Sequence, residues 1–218
     1  MSYNFEATDD FSIKVNEVGR LIELAAENTP DRELFLKLAA ISLVTKFQVF
    51  VENLMQEFSE KLKGIPSKKL PIHMRINSIL LRNEKSPLES IKKKQIPYGT
   101  DEFNEIKKFI NDINRLHKGY KVDDSFNMKL TFPLGKTGQE ELVHLFQQIK
   151  GEKEPFKNFD TESMKFNQLN SHLYRRHNAV HHDSFFGTER DLREGVNFFL
   201  KLAEYMDDYL NVTNFISE

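Results

Sequence analysis

The sequence predicts an all-α fold. Three observations carry that expectation. Apolar residues recur at three- and four-residue spacing along most of the chain, the period of a helix with one buried face. Start and stop signals fall between those stretches: Thr29 before Pro30, Gly64-Ile65-Pro66, and Thr188 three residues ahead of Asp191. Only residues 119–138 leave room for a short β-pair, and there is no internal repeat or low-complexity tract.

Each element follows in order. Val15, Leu21, Ile22, Leu24 and Ala25 set a first helix over about Phe11–Glu27. Thr29 can cap the second helix, and Pro30 suits its first turn, where a backbone N–H would have no partner anyway. That helix runs to about Lys63. Its stretch from Leu34 to Val44 is apolar almost all round, which marks the central helix of a bundle. Pro66, Pro71, Pro87 and Pro97 then interrupt the pattern, leaving a short helix around Ile72–Leu81. Phe103, Ile106, Phe109, Ile110, Ile113 and Leu116 predict a helix over Asp101–Lys118. Further helices are expected over about Gln139–Lys150 and Thr161–Asp183, with residues 151–160 as a link. The last helix opens on the Thr188/Asp191 capping box and carries Leu192, Val196, Phe199, Ala203, Met206 and Leu210 as its core stripe.

The expected organisation is one domain over residues 1–218 with a basic insertion at about 64–100. The insertion holds Lys68, Lys69, Arg75, Arg82, Lys85, Lys92, Lys93 and Lys94 against Glu84 and Glu89. It reads either as a solvated loop or as a nucleic-acid contact surface. The net charge of −2 argues against coating nucleic acid by global charge, and leaves room for such a local surface. With no cysteine, disulfides and cysteine-ligated zinc are excluded. The most apolar stretch, Leu34–Val51, is interrupted by Lys37, Ser42, Thr45, Lys46 and Gln48, short of the ~20 residues of a membrane span. The acidic, polar start MSYNFEATDD does not read as a secretory signal. A cytoplasmic protein without membrane contact is expected.

"FPLGKTG" contains the tail of a phosphate-binding loop, but the glycine that should stand five positions before the Gly-Lys pair is Leu130. A loop before the next helix explains it better.

The chemistry concentrates in "YRRHNAVHHD", residues 174–183. At about 100° per residue, Leu169, Leu173, Ala179 and Val180 lie within about 60° of Arg176. Arg176 therefore projects from the apolar stripe, where an arginine is costly unless it is paired or opens onto a cavity. His177 and His181 stand one turn apart at the edge of that stripe. Three readings compete. Carboxylates can satisfy the cluster with no chemistry. His177 and His181, with Asp183 or His172, have the spacing to grip a metal ion, although no Glu follows His177 as in the zinc-protease arrangement. Or the cluster cuts RNA through the RNA's own 2′-OH, which needs a proton carrier near neutral pH and a fixed cation at the phosphate. Histidine suits the first task and arginine the second.

Arg176-His177-Asn178-Ala179-Val180-His181 resembles the signature of the HEPN family (higher eukaryotes and prokaryotes nucleotide-binding), an arginine followed after a few residues by a histidine. The place of the motif, late in an all-α chain and ahead of the amphipathic helix Thr188–Asn211, is also similar. "GKTGQEELVHLFQQI" and "LNSHLYRRHNAVHHD" resemble the lead-in of prokaryotic HEPN proteins associated with defence and toxin genes. His177 replaces the more frequent asparagine, and His182 stands where glycine is common.

The resemblance implies an antiparallel helical bundle and a metal-independent endoribonuclease without cofactor. It implies a homodimer in which two motifs share a cleft, and a toxin or antiphage role under an antitoxin or regulatory protein. In that frame Arg176 and His181 are catalytic. His177 and Asn178 support them, with Glu52 on the second helix as partner to Arg176. Arg175, His182, Lys68, Lys69, Lys92, Lys93 and Lys94 are the candidate RNA contacts. The alternative is a non-catalytic HEPN module that binds a partner protein, RNA or nucleotide.

Overall fold

A computed structural model describes residues 3–27, 30–82, 99–123, 126, 128–130, 138–161, 164–182, 185 and 187–211. Among them stand seven α-helices. These are α1 (Glu6–Glu27), α2 (Arg32–Lys61), α3 (Ile72–Arg82), α4 (Asp101–His117), α5 (Gly138–Lys150), α6 (Gln168–His181) and α7 (Glu189–Tyr209). Two 3₁₀ turns, Ser67–Lys69 and Lys157–Phe159, complete the order. The fold is all-α as the periodicity predicts. Thr29, Lys85, Lys92, Lys93, Lys94, Asp183 and the Gly135-Lys136-Thr137 loop lie outside the described residues.

The chain divides into two compact units. One comprises Met1–Phe58, Leu130–Leu145 and Glu154–Asn211; the other comprises Ser59–Lys129, Phe146–Lys153 and Val212–Glu218.

In the first unit, α1 begins at Glu6, five residues before the expected start. Its cap is tertiary, so no local signal announces it. The buried Asp207 carboxylate of α7 accepts from Asn4 N (2.9 Å), Asn4 Nδ2 (2.7 Å), Phe5 N (3.0 Å) and Thr8 Oγ1 (2.8 Å). Glu57 of α2 accepts from Glu6 N and Ala7 N at 3.2 and 3.1 Å. Those bonds satisfy amides that a helix start leaves without intrahelical partners. The core follows from the aromatic stripe: Phe11 stacks on Phe50 at 4.9 Å, and Phe47 meets Phe199 at 4.6 Å. By length and composition α2 is the one helix, among the described residues, able to cross a bilayer. Eleven of its residues are buried within the protein, as suits the central helix of a bundle.

The helix expected from Thr161 begins only at Gln168. Asp160 Oδ1 accepts from Phe166 N at 2.8 Å, and Thr161 N donates to Met164 O at 2.8 Å, which holds this stretch in a turn. Residues 151–160 are also more than a link. Phe156 stacks on Phe166 at 4.2 Å, and Phe159 meets Phe198 edge-on at 5.7 Å. Tyr205 Oη donates to Pro155 O at 2.7 Å.

In the second unit, the segment after α2 pairs with the segment after α4. Gly64 N donates to Val122 O, Val122 N to Ile65 O, and Ser67 N to Tyr120 O, around an antiparallel bridge between Pro66 and Lys121. The β-pair expected within 119–138 is thus one short bridge to residues near Pro66. Gly119 turns the chain at φ 77, where a Cβ would lie 2.9 Å from Lys68 Cδ. Gln148 clamps the backbone of Lys129 through two 2.9 Å bonds. Ile72, Ile76 and Leu80 of α3 and Ile113 of α4 remain exposed along an apolar groove of about 270 Å³.

Candidate functional site

α6 lies in the first unit and carries the motif. Leu169, His172, Leu173 and Ala179 are buried, and they form the 3.6-period stripe that docks the helix. Arg176 falls on the same stripe and is half-buried. Val180, expected on the stripe, is 46% exposed. The buried face therefore ends at Ala179, and the last turn of α6 emerges into solvent. His182 closes the helix by turning extended and donating from N to Asn178 O at 2.9 Å.

This emergence sets the geometry of the motif. Arg176 has its Nε inside with no hydrogen-bond partner among the described residues. The guanidinium is donor-only and permanently charged, so an inward Nε without an acceptor is a costly arrangement. His177 is half-buried, while His181 and His182 are exposed. The His177 and His181 rings lie 4.5 Å apart, tilted at 49°, and the His177 and His182 rings lie 6.4 Å apart. Asn178 is buried at 8% exposure and faces the protein interior. Glu52 is half-buried on α2 and accepts from Gln48 Nε2 at 3.4 Å. Neither that bond nor the position of Arg176 Nε joins Glu52 to Arg176, and that pairing belongs to the proposal below.

The other flank of α6 is a different environment. His172 packs its ring against Phe198 and Phe199 at 5.1 and 5.4 Å. Burial, reinforced by the neighbouring Arg175 charge, pushes its imidazole down to about 4, so it is neutral near pH 7. A Cβ on Gly195 of α7 would stand 3.0 Å from that ring and 3.3 Å from Leu43, so Gly195 is what lets α7 approach so closely. Arg175 is already committed, with Nη2 bonded to Asp191 Oδ1 at 2.9 Å. Asp191 is the residue that completes the Thr188 capping box, and its bonds from Thr188 hold its carboxyl below the usual carboxylate range. Arg175 thus joins α6 to the start of α7, a structural task its expected RNA contact did not anticipate.

A cleft of about 350 Å³ opens on this flank. From α6 it is lined by Gln168, Ser171, His172 and Arg175, and from α7 by Glu194, Asn197 and Phe198. Sequence reasoning missed it. The signal was present: residues 168, 171 and 175 are polar at three-four spacing beside the apolar stripe that holds His172. Among the described residues no three His, Asp or Glu side chains converge to hold a metal ion. Lys68 and Lys69 belong to the second unit, Lys68 exposed and Lys69 half-buried.

The comparisons with known proteins fit this architecture. The family profile described as RiboL-PSP-HEPN matches residues 9–212. The chain belongs to the HEPN family. Domains of this HEPN family have nucleotide- and RNA-related functions and are often ribonucleases. Neither the curated proteins nor the solved structures gave a significant match.

Proposed function

We propose that this HEPN protein is a metal-independent endoribonuclease. The observation that supports it most is the last turn of α6. It carries Arg176, half-buried with its Nε inside and unpartnered, and the ring pair of half-buried His177 and exposed His181. Arg176 binds the scissile phosphate and stabilises the charge that develops on its oxygens. His181 takes the proton of the 2′-OH as that oxygen attacks phosphorus. The bond from phosphorus to the 5′-oxygen breaks, and the leaving oxygen takes a proton from a second acid. The products are a 2′,3′-cyclic phosphate and a 5′-hydroxyl.

The attacking and leaving oxygens lie on opposite sides of phosphorus. His177 and His181, 4.5 Å apart on one helix, approach from one side only. The second acid therefore comes from a second copy, which supports a homodimer with a shared cleft. Tyr174 and Val180, 65% and 46% exposed on the same helix, supply apolar surface for that contact. Asn178 and His177 orient the pair, Glu52 balances Arg176, and His182, Lys68, Lys69, Lys92, Lys93 and Lys94 contact RNA. We place the activity in the cytoplasm, as a toxin or antiphage effector restrained by an antitoxin or regulatory protein.

The test is RNA cleavage by purified protein in EDTA, with wild type beside His181→Ala. Cutting by wild type alone supports the assignment. No cutting by folded, dimeric wild type favours a binding module, and equal cutting by both removes His181 from the chemistry.

A further inference from the structure

The groove between α3 and α4 lies wholly in the second unit and has no part in the chemistry above. α3 lines it with Ile72, Ile76 and Leu80 beside Arg75, and α4 with Ile113 and His117. Residues 72, 76 and 80 stand one above another at four-residue spacing, a row about 12 Å or two turns long. An amphipathic helix normally buries such a row. Here it faces outward: Ile72 is 55%, Ile76 46%, Leu80 49% and Ile113 41% exposed. On α4, Asp112 is the only buried residue among those described, and the apolar stripe of that helix is not.

The form of the groove narrows what can fill it. Aliphatic rows on two neighbouring helices make a seam, and a third helix fills a seam with anchors at i, i+3 or i+4, and i+7. The volume, about 270 Å³, falls just under the roughly 300 Å³ at which ligand pockets begin. The most exposed apolar groups are aliphatic, whereas bases of single-stranded RNA stack on aromatic ones. An amphipathic helix rests on a bilayer by its outermost face, whereas these rows line a recess.

Charge selects the kind of helix. Arg75 is the one lysine or arginine in the lining, and no carboxylate lines it. Arg75 is half-buried, its Nε lies inside without a partner, and it makes no ion pair among the described residues. α3 has no Asp or Glu over Ile72–Arg82. Lys68 lies against the turn at Gly119, two residues beyond His117. The unit as a whole has more lysine and arginine than carboxylates. A second copy docking by the same groove would set two basic units against each other. A helix with carboxylates beside its apolar ridge meets no such repulsion and brings Arg75 the charge it lacks.

We propose that the α3/α4 groove docks an amphipathic helix of a partner protein, its apolar ridge flanked by aspartate or glutamate, with one carboxylate paired to Arg75. This docking does not depend on the ribonuclease reading.

The probe is a fluorescein-labelled helical peptide of about four turns, with leucines at three-four spacing and glutamates on both flanks. Its twin has lysine for each glutamate. Fluorescence anisotropy follows both on the full-length protein. The glutamate peptide is expected to bind at least about ten-fold tighter than its twin. Ile76→Ser and Ile113→Ser, both at exposed positions, each weaken its binding about ten-fold or more. Arg75→Gln brings the two peptides within about two-fold of each other. Leu34→Ser, at an exposed leucine of the other unit, changes nothing. No binding of the glutamate peptide at about 1 mM, equal binding of both peptides, or indifference to the isoleucine variants overturns the proposal. So does a fall in mass by light scattering on combining Ile76→Ser with Ile113→Ser, which gives the groove to a second copy. Binding to phosphatidylserine vesicles that the same two substitutions abolish gives it to a membrane and overturns the proposal as well.

Discussion

The unit that carries the Arg/His motif has 13 Lys and Arg against 22 Asp and Glu, whereas the other has 18 against 11. A net charge of −2 therefore averages an acidic unit at −9 and a basic unit at +7. The difference teaches that total charge is a poor guide to polyanion binding in this chain. The proposed bond-cutting groups sit in the acidic unit. In that proposal long-range attraction of RNA falls to the other, which concentrates lysine. The units also differ in construction. The acidic one has a continuous aromatic core and remote carboxylate caps, while the basic one leaves isoleucines and leucines of α3 and α4 exposed.

If this division of labour is right, lesions in the acidic unit change chemistry or folding, and lesions in the basic unit change salt-dependent capture. The largest effect is expected at the motif. Arg176→Ala and His181→Ala each lower the single-turnover cleavage rate by about 10²–10⁴-fold. The melting temperature of His181→Ala stays unchanged because that side chain is exposed. A loss in KM alone would move Arg176 out of the transition state and blur the comparison.

Next comes pH. His172 titrates at about 4 when folded, against about 6.5 in the unfolded chain. On acidification the unfolded chain takes up the proton first. The stabilisation is complete above pH 6.5 and is lost between there and about 4, to a total of about 3 kcal/mol. Urea unfolding at pH 7 and 4.5 measures it, and His172→Phe should flatten that span. A wild-type curve as flat as the variant's would contradict the buried, neutral assignment.

Asp207→Asn should cost about 2–3 kcal/mol, because an amide cannot accept from all four donors that reach the carboxylate. Urea unfolding checks this too; no loss would mean that the start of α1 does not depend on α7. The smallest effect belongs to the basic unit. Lys68→Ala with Lys69→Ala should reduce the salt slope of RNA binding by about 0.7 for each phosphate contact removed. The rate at saturating RNA stays unchanged. A lower rate with an unchanged slope would reverse the roles of the two units.

The helices were legible where local physics sets their limits. The Thr188 capping box and the stop at Gly64 are local signals, and the structure uses Thr188 through a bond of 3.2 Å from Asp191 N. The start of α1 was not legible, because Asp207 and Glu57 cap it from about 200 and 50 residues away in sequence. The late start of α6 goes with the turn held by Asp160 and Thr161 and with the stacking of Phe156 on Phe166, contacts that periodicity does not encode. At the site, helical angles placed Arg176 on the stripe. They could not show that the stripe emerges after Ala179, nor that Asp191 holds Arg175. The cleft was not legible because three of its eight lining residues belong to α7, whose close approach to α6 depends on Gly195.

The most direct test of the central claim is the chemistry of the cut ends in the presence of EDTA. The account predicts 2′,3′-cyclic phosphate and 5′-hydroxyl termini from wild type, and none from His181→Ala or Arg176→Ala. Termini with 5′-phosphate and 3′-hydroxyl, or cutting abolished by EDTA, would contradict it, since either requires an attacking water or a metal in place of the RNA's own 2′-OH.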